Sequence, residues 1–450
     1  MCIESHFIYL NNNIPNMYRT VIEELIKWKK SSDRKPLIVK GVRQCGKTFI
    51  LREFGRENYP NVAYFNFEED RKLASLFETD LNPHRIIKDL CIQYDAEIDN
   101  DTLIIFDEIQ FCGLALTSMK YFCEKAPEYH IICAGSLLGL MLSETSSFPV
   151  GKVSFLTMYP MTFKEFMIAN GKEDLCEHIE TGSADEIIPE IFLNTLNRLY
   201  REYCFVGGMP AVVGSWVSSH DQDAVRTKQS EIITSYQSDF SKHAPAYDIP
   251  KLNLIWSSIP EQLSKENRRF IFGHAVSGGR ARSLEDALQW LIDAGMVIRV
   301  RMISRPSVPL SAYAEHNIFK LYYSDVGLLG AMSGLEASSI FSEDAMYREF
   351  KGSMTENYVL TELVASTGNI PFYWRSGNRA EVDFVIRIRG MNVPIEVKSG
   401  RASRVQSMER YMNEYGPEKA FVISEGNIRR GRLTFLPLPL TWNMERYLGE

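Results

Sequence analysis

No Cys-x-x-Cys pair occurs in the 450 residues, although there are eight cysteines. All eight (Cys2, Cys45, Cys91, Cys112, Cys123, Cys133, Cys176 and Cys204) lie in the N-terminal half, several inside apolar runs. That distribution fits reduced intracellular thiols and excludes a disulfide frame or a zinc site. The eight histidines have no metal-ligand spacing. A long apolar run is also missing. The longest, residues 131–142, is too short and too interrupted by Gly and Ser to span a bilayer. The first ten residues lack a basic stretch ahead of an apolar core, so no signal peptide is expected. A net charge of −7 argues against a chain coated in nucleic acid, while leaving local basic patches open. Repeats, low-complexity tracts and coiled-coil heptads are absent. These absences predict a cytoplasmic protein with no membrane partner, and the length of 450 residues suffices for two to four domains.

What the chain does contain is a glycine-framed loop between an apolar run and a helix-prone segment. Leu37-Ile38-Val39-Lys40 leads into Gly41-Val42-Arg43-Gln44-Cys45-Gly46-Lys47-Thr48, which fits G-x-x-x-x-G-K-[ST], and Phe49 to Phe54 follow. Gly41 and Gly46 permit backbone angles and close approaches that a side chain forbids. The amides of residues 43 to 48 would then line one concavity at a helix N-terminus, where negative charge is favoured. Arg43, Gln44, Cys45, Gly46, Lys47, Thr48 and Phe49 are thus candidate phosphate-loop residues. Lys47 would reach the β- and γ-phosphates, and the Thr48 hydroxyl would ligate Mg²⁺.

Strand-like and helix-like stretches then alternate. The runs 61–67, 102–108 and 130–136 read as strands buried on both faces, separated by helical patterns, which predicts a parallel sheet. Asp107-Glu108 closes the second of these runs. An acid at that strand end would hold the Mg²⁺ shell, and the adjacent Glu108 would orient the attacking water. Ser136, at the next strand end, would contact the γ-phosphate or that water. A strand lying between the loop strand and the Asp-Glu strand in sequence predicts the additional-strand class of P-loop ATPases.

The phosphate loop, Asn66-Phe67-Glu68-Glu69, Phe106-Asp107-Glu108-Ile109-Gln110, Ala134-Gly135-Ser136 and the segment from Tyr159 to Phe166 together resemble a prokaryotic family of the AAA superfamily. Its members carry a C-terminal domain of uncharacterised function, and the likeness covers nearly the whole chain. It implies ATP and Mg²⁺ as cofactors, with Gly46, Lys47, Thr48 and Asp107 at the nucleotide and metal positions and Glu108 as the catalytic carboxylate. One departure is Gly151-Lys152, where the family often has Gly-Arg. Lysine lacks the planar fork that grips phosphate in two places.

Residues 187–203 and 222–240 read as helices broken by Phe205-Val206-Gly207-Gly208-Met209-Pro210-Ala211, which the resemblance places in a helical lid. A helix capped by Ser283 and stopped by Gly295, then alternating strands at 296–301 and 319–323, suggests a winged helix-turn-helix. Arg280, Arg282, Arg299 and Arg301 would be its phosphate contacts.

Further on, Glu381-Val382-Asp383 and Glu396-Val397-Lys398 lie on the arms of a hairpin turning at Arg389-Gly390. Glu396 and Lys398 share a face, with Asp383 across from them. Val382, Phe384, Ile395 and Val397 take the buried face. Upstream, a helix over 353–365 carries Glu356 and Glu362, whose six-residue spacing directs them to different points. The set resembles the restriction-endonuclease-like fold, in which Glu356, Asp383, Glu396 and Lys398 match the helix acid, the Asp and the Glu-x-Lys of a two-metal phosphodiester site. From Arg375 to Arg432, basic residues outnumber acidic ones, in keeping with a phosphate partner.

The expected architecture is therefore α/β. An ATPase core spans 1–170, a helical lid 171–245, a winged-helix-like module 246–335 and a restriction-endonuclease-like domain 336–450. The expected partners are ATP, DNA and further copies of the chain. Two functions stay open: an ATPase driving a DNA-facing C-terminal half, and a nucleotide-gated adaptor with an inert nuclease-like domain.

Overall fold

The structure is a computed structural model. It describes residues 17–140, 151–184, 186–275, 281–377, 380–401 and 405–449. Two sheets organise the chain. The first is all parallel and contains β1 (Leu37–Lys40), β2 (Asn61–Asn66), β3 (Thr102–Asp107), β4 (His130–Ala134) and β5 (Ser154–Thr157) in the order β2-β3-β4-β1-β5. In space, β4 is the strand that separates the loop strand β1 from the Asp-Glu strand β3.

The continuous apolar runs bury side chains on both faces. Leu37, Val39, Leu103, Ile105 and Ile132 pack into one cluster, while Ile38, Ile104, Phe106, Ile131 and Cys133 pack into another. At about 1.5–3 kcal/mol for each large apolar side chain buried, this two-sided packing fixes the strand ends where the chemistry sits.

The helical middle begins with Glu190–Val206, Pro210–Ser219 and Gln222–His243. The break between the first two is a close crossing. A Cβ on Gly208 would meet the Met161 carbonyl at 2.1 Å, and the Met161 amide donates to the Gly208 carbonyl at 2.6 Å. The buried Asp325 carboxylate accepts from the Gly208 amide at 2.6 Å. The break is thus where the segment after β5, these two helices and Asp325 meet.

The second sheet has seven strands: β6 (Val297–Ile303), β7 (Ala314–Tyr323), β8 (Phe372–Ser376), β9 (Ala380–Ile388), β10 (Met391–Val397), β11 (Phe421–Ser424) and β12 (Thr434–Pro437). Their order is β12-β11-β10-β9-β8-β6-β7, with mixed directions. The expected strands at 296–301 and 319–323 do pair as an antiparallel hairpin. That hairpin also joins the C-terminal strands, because Met302 and Ile303 pair in parallel with Tyr373 and Trp374 of β8. The expected division at 335/336 therefore runs through one hydrogen-bonded sheet.

Among the described residues, the helix before the hairpin runs over Ala281–Asp293 and so includes Ser283. Arg280 is outside the described residues. Arg299 is held within its own module by Glu285 at 2.5 Å and Gln289 at 3.1 Å. The helix expected at 353–365 is longer, Ala345–Thr367, and its N-cap Asp344 accepts from the Tyr347 amide.

Candidate functional site

The carboxyl ends of β1, β3 and β4 bring the phosphate loop, Asp107-Glu108 and Ser136 together. The loop closes tightly onto the strand-end segment after β5, since a Cβ on Gly41 would meet the Met158 carbonyl at 2.1 Å. Gly46 takes φ +92°, a left-handed angle that opens the helix Lys47–Asn58 and suits glycine. Lys47 is 5% exposed, and its ammonium donates to the Gly41 and Val42 carbonyls at 2.8 and 3.1 Å. A buried ammonium needs such acceptors. Here the loop's own carbonyls supply them.

The Thr48 hydroxyl donates to Asp107 Oδ2 at 2.7 Å. The Tyr64 hydroxyl, from β2, donates to the same oxygen at 2.8 Å. Burial, with the Asp107 charge behind it, pushes the Tyr64 hydroxyl well above its ordinary range, so Tyr64 acts as a donor. Asp107 Oδ1 accepts the Glu108 amide at 2.9 Å. Glu108 itself sits at φ +49°, an uncommon angle for a side-chain residue and one that turns its carboxylate off the strand line. Ser136 holds that carboxylate through its hydroxyl at 3.2 Å and its amide at 3.4 Å, and the Gln110 amide group donates to it as well.

Sequence reasoning missed Tyr64 and gave Gln110 no role. Gln110 was visible in the Phe106–Gln110 motif, whereas nothing at Tyr64 distinguished it from a strand residue. It also missed Arg19, which is 4% exposed and paired with Glu165 at 3.0 Å. Arg19 donates to the Cys45 carbonyl at 2.9 Å and to the Tyr159 carbonyl at 2.6 Å. It thereby ties the loop to the segment after β5. The departure at Lys152 resolves into a local ion pair with Glu124 at 3.0 Å.

Thr48 and Asp107 offer two hard oxygen donors in contact, the donor type that Mg²⁺ takes. Among the described residues, no group of three or more His, Cys, Asp or Glu side chains converges on one point. The remainder of such an ion's shell would come from phosphate oxygens and water, as is usual for Mg²⁺. When bound, the ion would neutralise charge on the phosphates.

Residues 33–167 match the family model described as an AAA domain. That domain is a P-loop ATPase domain of the AAA type. Residues 197–339 and 351–441 match two families described as domains of unknown function, DUF8612 and DUF4143. No curated protein matches the chain. Among solved structures, a Walker-type ATPase of Pyrococcus abyssi is similar, at 15% identity and TM-score 0.46, with 72% of this chain and 98% of that chain covered. The Aeropyrum pernix ORC1 protein in complex with DNA matches at 14% identity and TM-score 0.32, covering 72% and 95%. A Thermotoga maritima RuvB matches at 11% identity and TM-score 0.30, covering 63% and 90%. No helix among the described residues is long and apolar enough to cross a membrane.

The C-terminal carboxylates also meet, in an arrangement of their own. The β9–β10 hairpin turns at Arg389-Gly390, and its register ends on Ile395 opposite Phe384, so Asp383 stands across from Glu396. Asp383 Oδ2 accepts the Val397 amide at 2.8 Å. The Lys398 ammonium lies 2.6 Å from Glu396 Oε1, while Glu396 Oε2 has no partner. Burial first, and then the Asp383 charge, raises Glu396 to about 8.

Glu356 approaches from the Ala345–Thr367 helix but is fully engaged. Arg268 pairs with its Oε1, the Tyr322 hydroxyl donates to Oε2 at 2.8 Å, and Lys320 stands 3.6 Å from Oε2. Lys320 is 1% exposed and also pairs with Glu381 at 2.8 Å. Burial opposes its charge, and Tyr322, Glu381 and Asp383 together outweigh that opposition. Two cations, Arg268 and Lys320, therefore already take up both oxygens of the helix acid. The residues present do not fit a metal bridging Glu356 to the strand carboxylates.

Proposed function

We propose that the protein is a Mg²⁺-dependent ATPase whose nucleotide state is passed to a DNA-facing C-terminal half. The observation that carries the ATPase reading is the Thr48 hydroxyl on the Asp107 carboxylate, beside a Glu108 carboxylate held by Ser136 and Gln110. In this reading the loop amides and Lys47 bind the phosphates. Thr48 and Asp107 hold Mg²⁺. Glu108 accepts a proton from the attacking water, and Ser136 keeps the carboxylate aimed. Support for a nucleic-acid partner is electrostatic: Arg387, Arg401, Arg429 and Arg432 are exposed on the C-terminal domain. The test is ATP binding by wild type and Lys47→Ala. Loss of binding in the variant is expected, and equal affinity in the two sinks the reading.

A second reading is favoured by the engagement of Glu356 with Arg268, Tyr322 and Lys320. In it the restriction-endonuclease-like domain is catalytically inert and serves as a binding module, so that the chain works as a nucleotide-gated adaptor. Incubating the protein with Mg²⁺ and DNA separates the two. Cleavage that disappears in Asp383→Ala while ATP binding persists rules the inert domain out.

A further inference from the structure

Arg43, the third residue of the phosphate loop, is gripped by the lid helix Gln222–His243 at two points. The Tyr236 hydroxyl donates to the Arg43 carbonyl at 2.9 Å, and Asp239 Oδ1 lies 2.5 Å from Arg43 Nη1. Residues 236 and 239 are one helical turn apart and share a face. One contact therefore holds the arginine's backbone and the other its side chain. Asp239 is 1% exposed, and its second oxygen, Oδ2, has no partner.

This is an unusual place for a buried carboxylate. Burial raises Asp239, the Arg43 charge opposes that rise, and Glu108 lies near enough to add to it. Asp107, Glu108 and Asp239 thus crowd negative charge around a site that must accept a triphosphate. Arg43 is a cation beside Asp239, and in that contact it uses one nitrogen of a guanidinium that can serve two phosphate oxygens at once.

We propose that Arg43 and Asp239 form a latch between the phosphate loop and the lid, released when the γ-phosphate of ATP takes Arg43 from Asp239. The inference rests on the ATPase reading and adds to it a route by which nucleotide state reaches the lid. ADP lacks the γ-phosphate and leaves the pair closed. With ATP bound, Asp239 loses its cation, and a buried carboxylate without a partner is unfavourable. The lid helix relieves this by moving Asp239 toward water or toward Lys242 and His243, whose charges already act on it. Arg43 is a nucleotide-contacting residue in this scheme, and Asp239 acts through it as a positioning residue.

The test is calorimetric titration of the full chain with Mg²⁺ and either ADP or the non-hydrolysable β,γ-imido analogue of ATP. Asp239→Asn keeps the shape and removes the competing charge. It is expected to tighten the ATP analogue by about fivefold or more while changing ADP by less than about twofold. Arg43→Ala, which does not depend on how Asp239→Asn folds, is expected to erase the preference for the ATP analogue over ADP. In Arg43→Ala/Asp239→Asn the gain should vanish. Equal changes for the two nucleotides, or a gain that survives without Arg43, overturn the latch. Failure of wild type to bind either nucleotide is a different result, because it removes the ATPase reading itself.

Discussion

Glu356 and Glu362 lie on one helix, Ala345–Thr367, and face different halves of the molecule. Glu362 Oε1 accepts the Phe163 amide of the ATPase domain at 2.9 Å, whereas Glu356 is held by Arg268, Tyr322 and Lys320 in the C-terminal cluster. Both are at most 2% exposed. A single helix thus carries one buried acid against the Phe163 amide and another into the C-terminal cluster.

Glu362 predicts an unusual pH dependence. Burial raises it to about 8 from an ordinary 4.5, and its Oε2 has no partner. A carboxyl raised on folding binds its proton more tightly in the folded state. Its contribution is therefore fully present below about 4.5 and is lost as pH rises through about 8. Glu396, also raised to about 8, and Asp325, raised to about 6, act in the same sense. Chemical denaturation at pH 5, 6.5 and 8 should give stability falling with pH, and Glu362→Gln should remove about 2–4 kcal/mol of that fall. An unchanged slope in the variant contradicts the assignment.

The Arg19–Glu165 pair is a buried brace. Glu165 also accepts from the Thr20 amide and hydroxyl at 2.6 and 2.8 Å and from the Thr162 amide at 3.0 Å. Glu165→Ala leaves the Arg19 charge buried without its partner, so a loss of about 3–5 kcal/mol is expected in urea unfolding. A loss under about 1 kcal/mol places this pair among the ordinary surface bridges.

Gly41 is required by contact. A methyl group in place of its hydrogen meets the Met158 carbonyl at 2.1 Å, so the loop or the strand-end segment has to move. Gly41→Ala should cost about 1–3 kcal/mol and weaken ATP binding, measured by thermal unfolding and titration. Wild-type affinity in this variant means that the loop tolerates the shift.

Metal binding should divide cleanly between the two carboxylate sites. Counted by electron paramagnetic resonance, Mn²⁺ in the presence of ADP should occupy the phosphate loop. Asp107→Asn should weaken it about tenfold or more, and Asp383→Ala should leave it unchanged. A second, Asp383-dependent ion contradicts the reading that Lys320 and Arg268 take the metal's place.

Local chemistry was legible in the sequence and long-range partnership was not. The loop, the Asp107-Glu108 strand end and the hairpin at Arg389-Gly390 are short patterns whose geometry is dictated within a few residues. The divergence of Glu356 and Glu362 followed from helical spacing alone. Lys320 and Arg268 were invisible because isolated basic residues carry no periodic signal, and their partners lie far away in sequence. Arg19 and Glu165 are 146 residues apart. The pairing of β6 with β8 rests on two residue pairs about seventy positions apart, which no local alternation announces.

The central claim is that Glu108 turns a nucleotide-binding loop into a hydrolase. Phosphate release from Mg²⁺·ATP, measured alongside ATP affinity for wild type and Glu108→Gln, tests it most directly. The account predicts turnover by wild type, a fall of about a hundredfold or more in the variant, and ATP affinity within about twofold of wild type. Undiminished turnover in Glu108→Gln, or ATP bound but never hydrolysed by wild type, contradicts it.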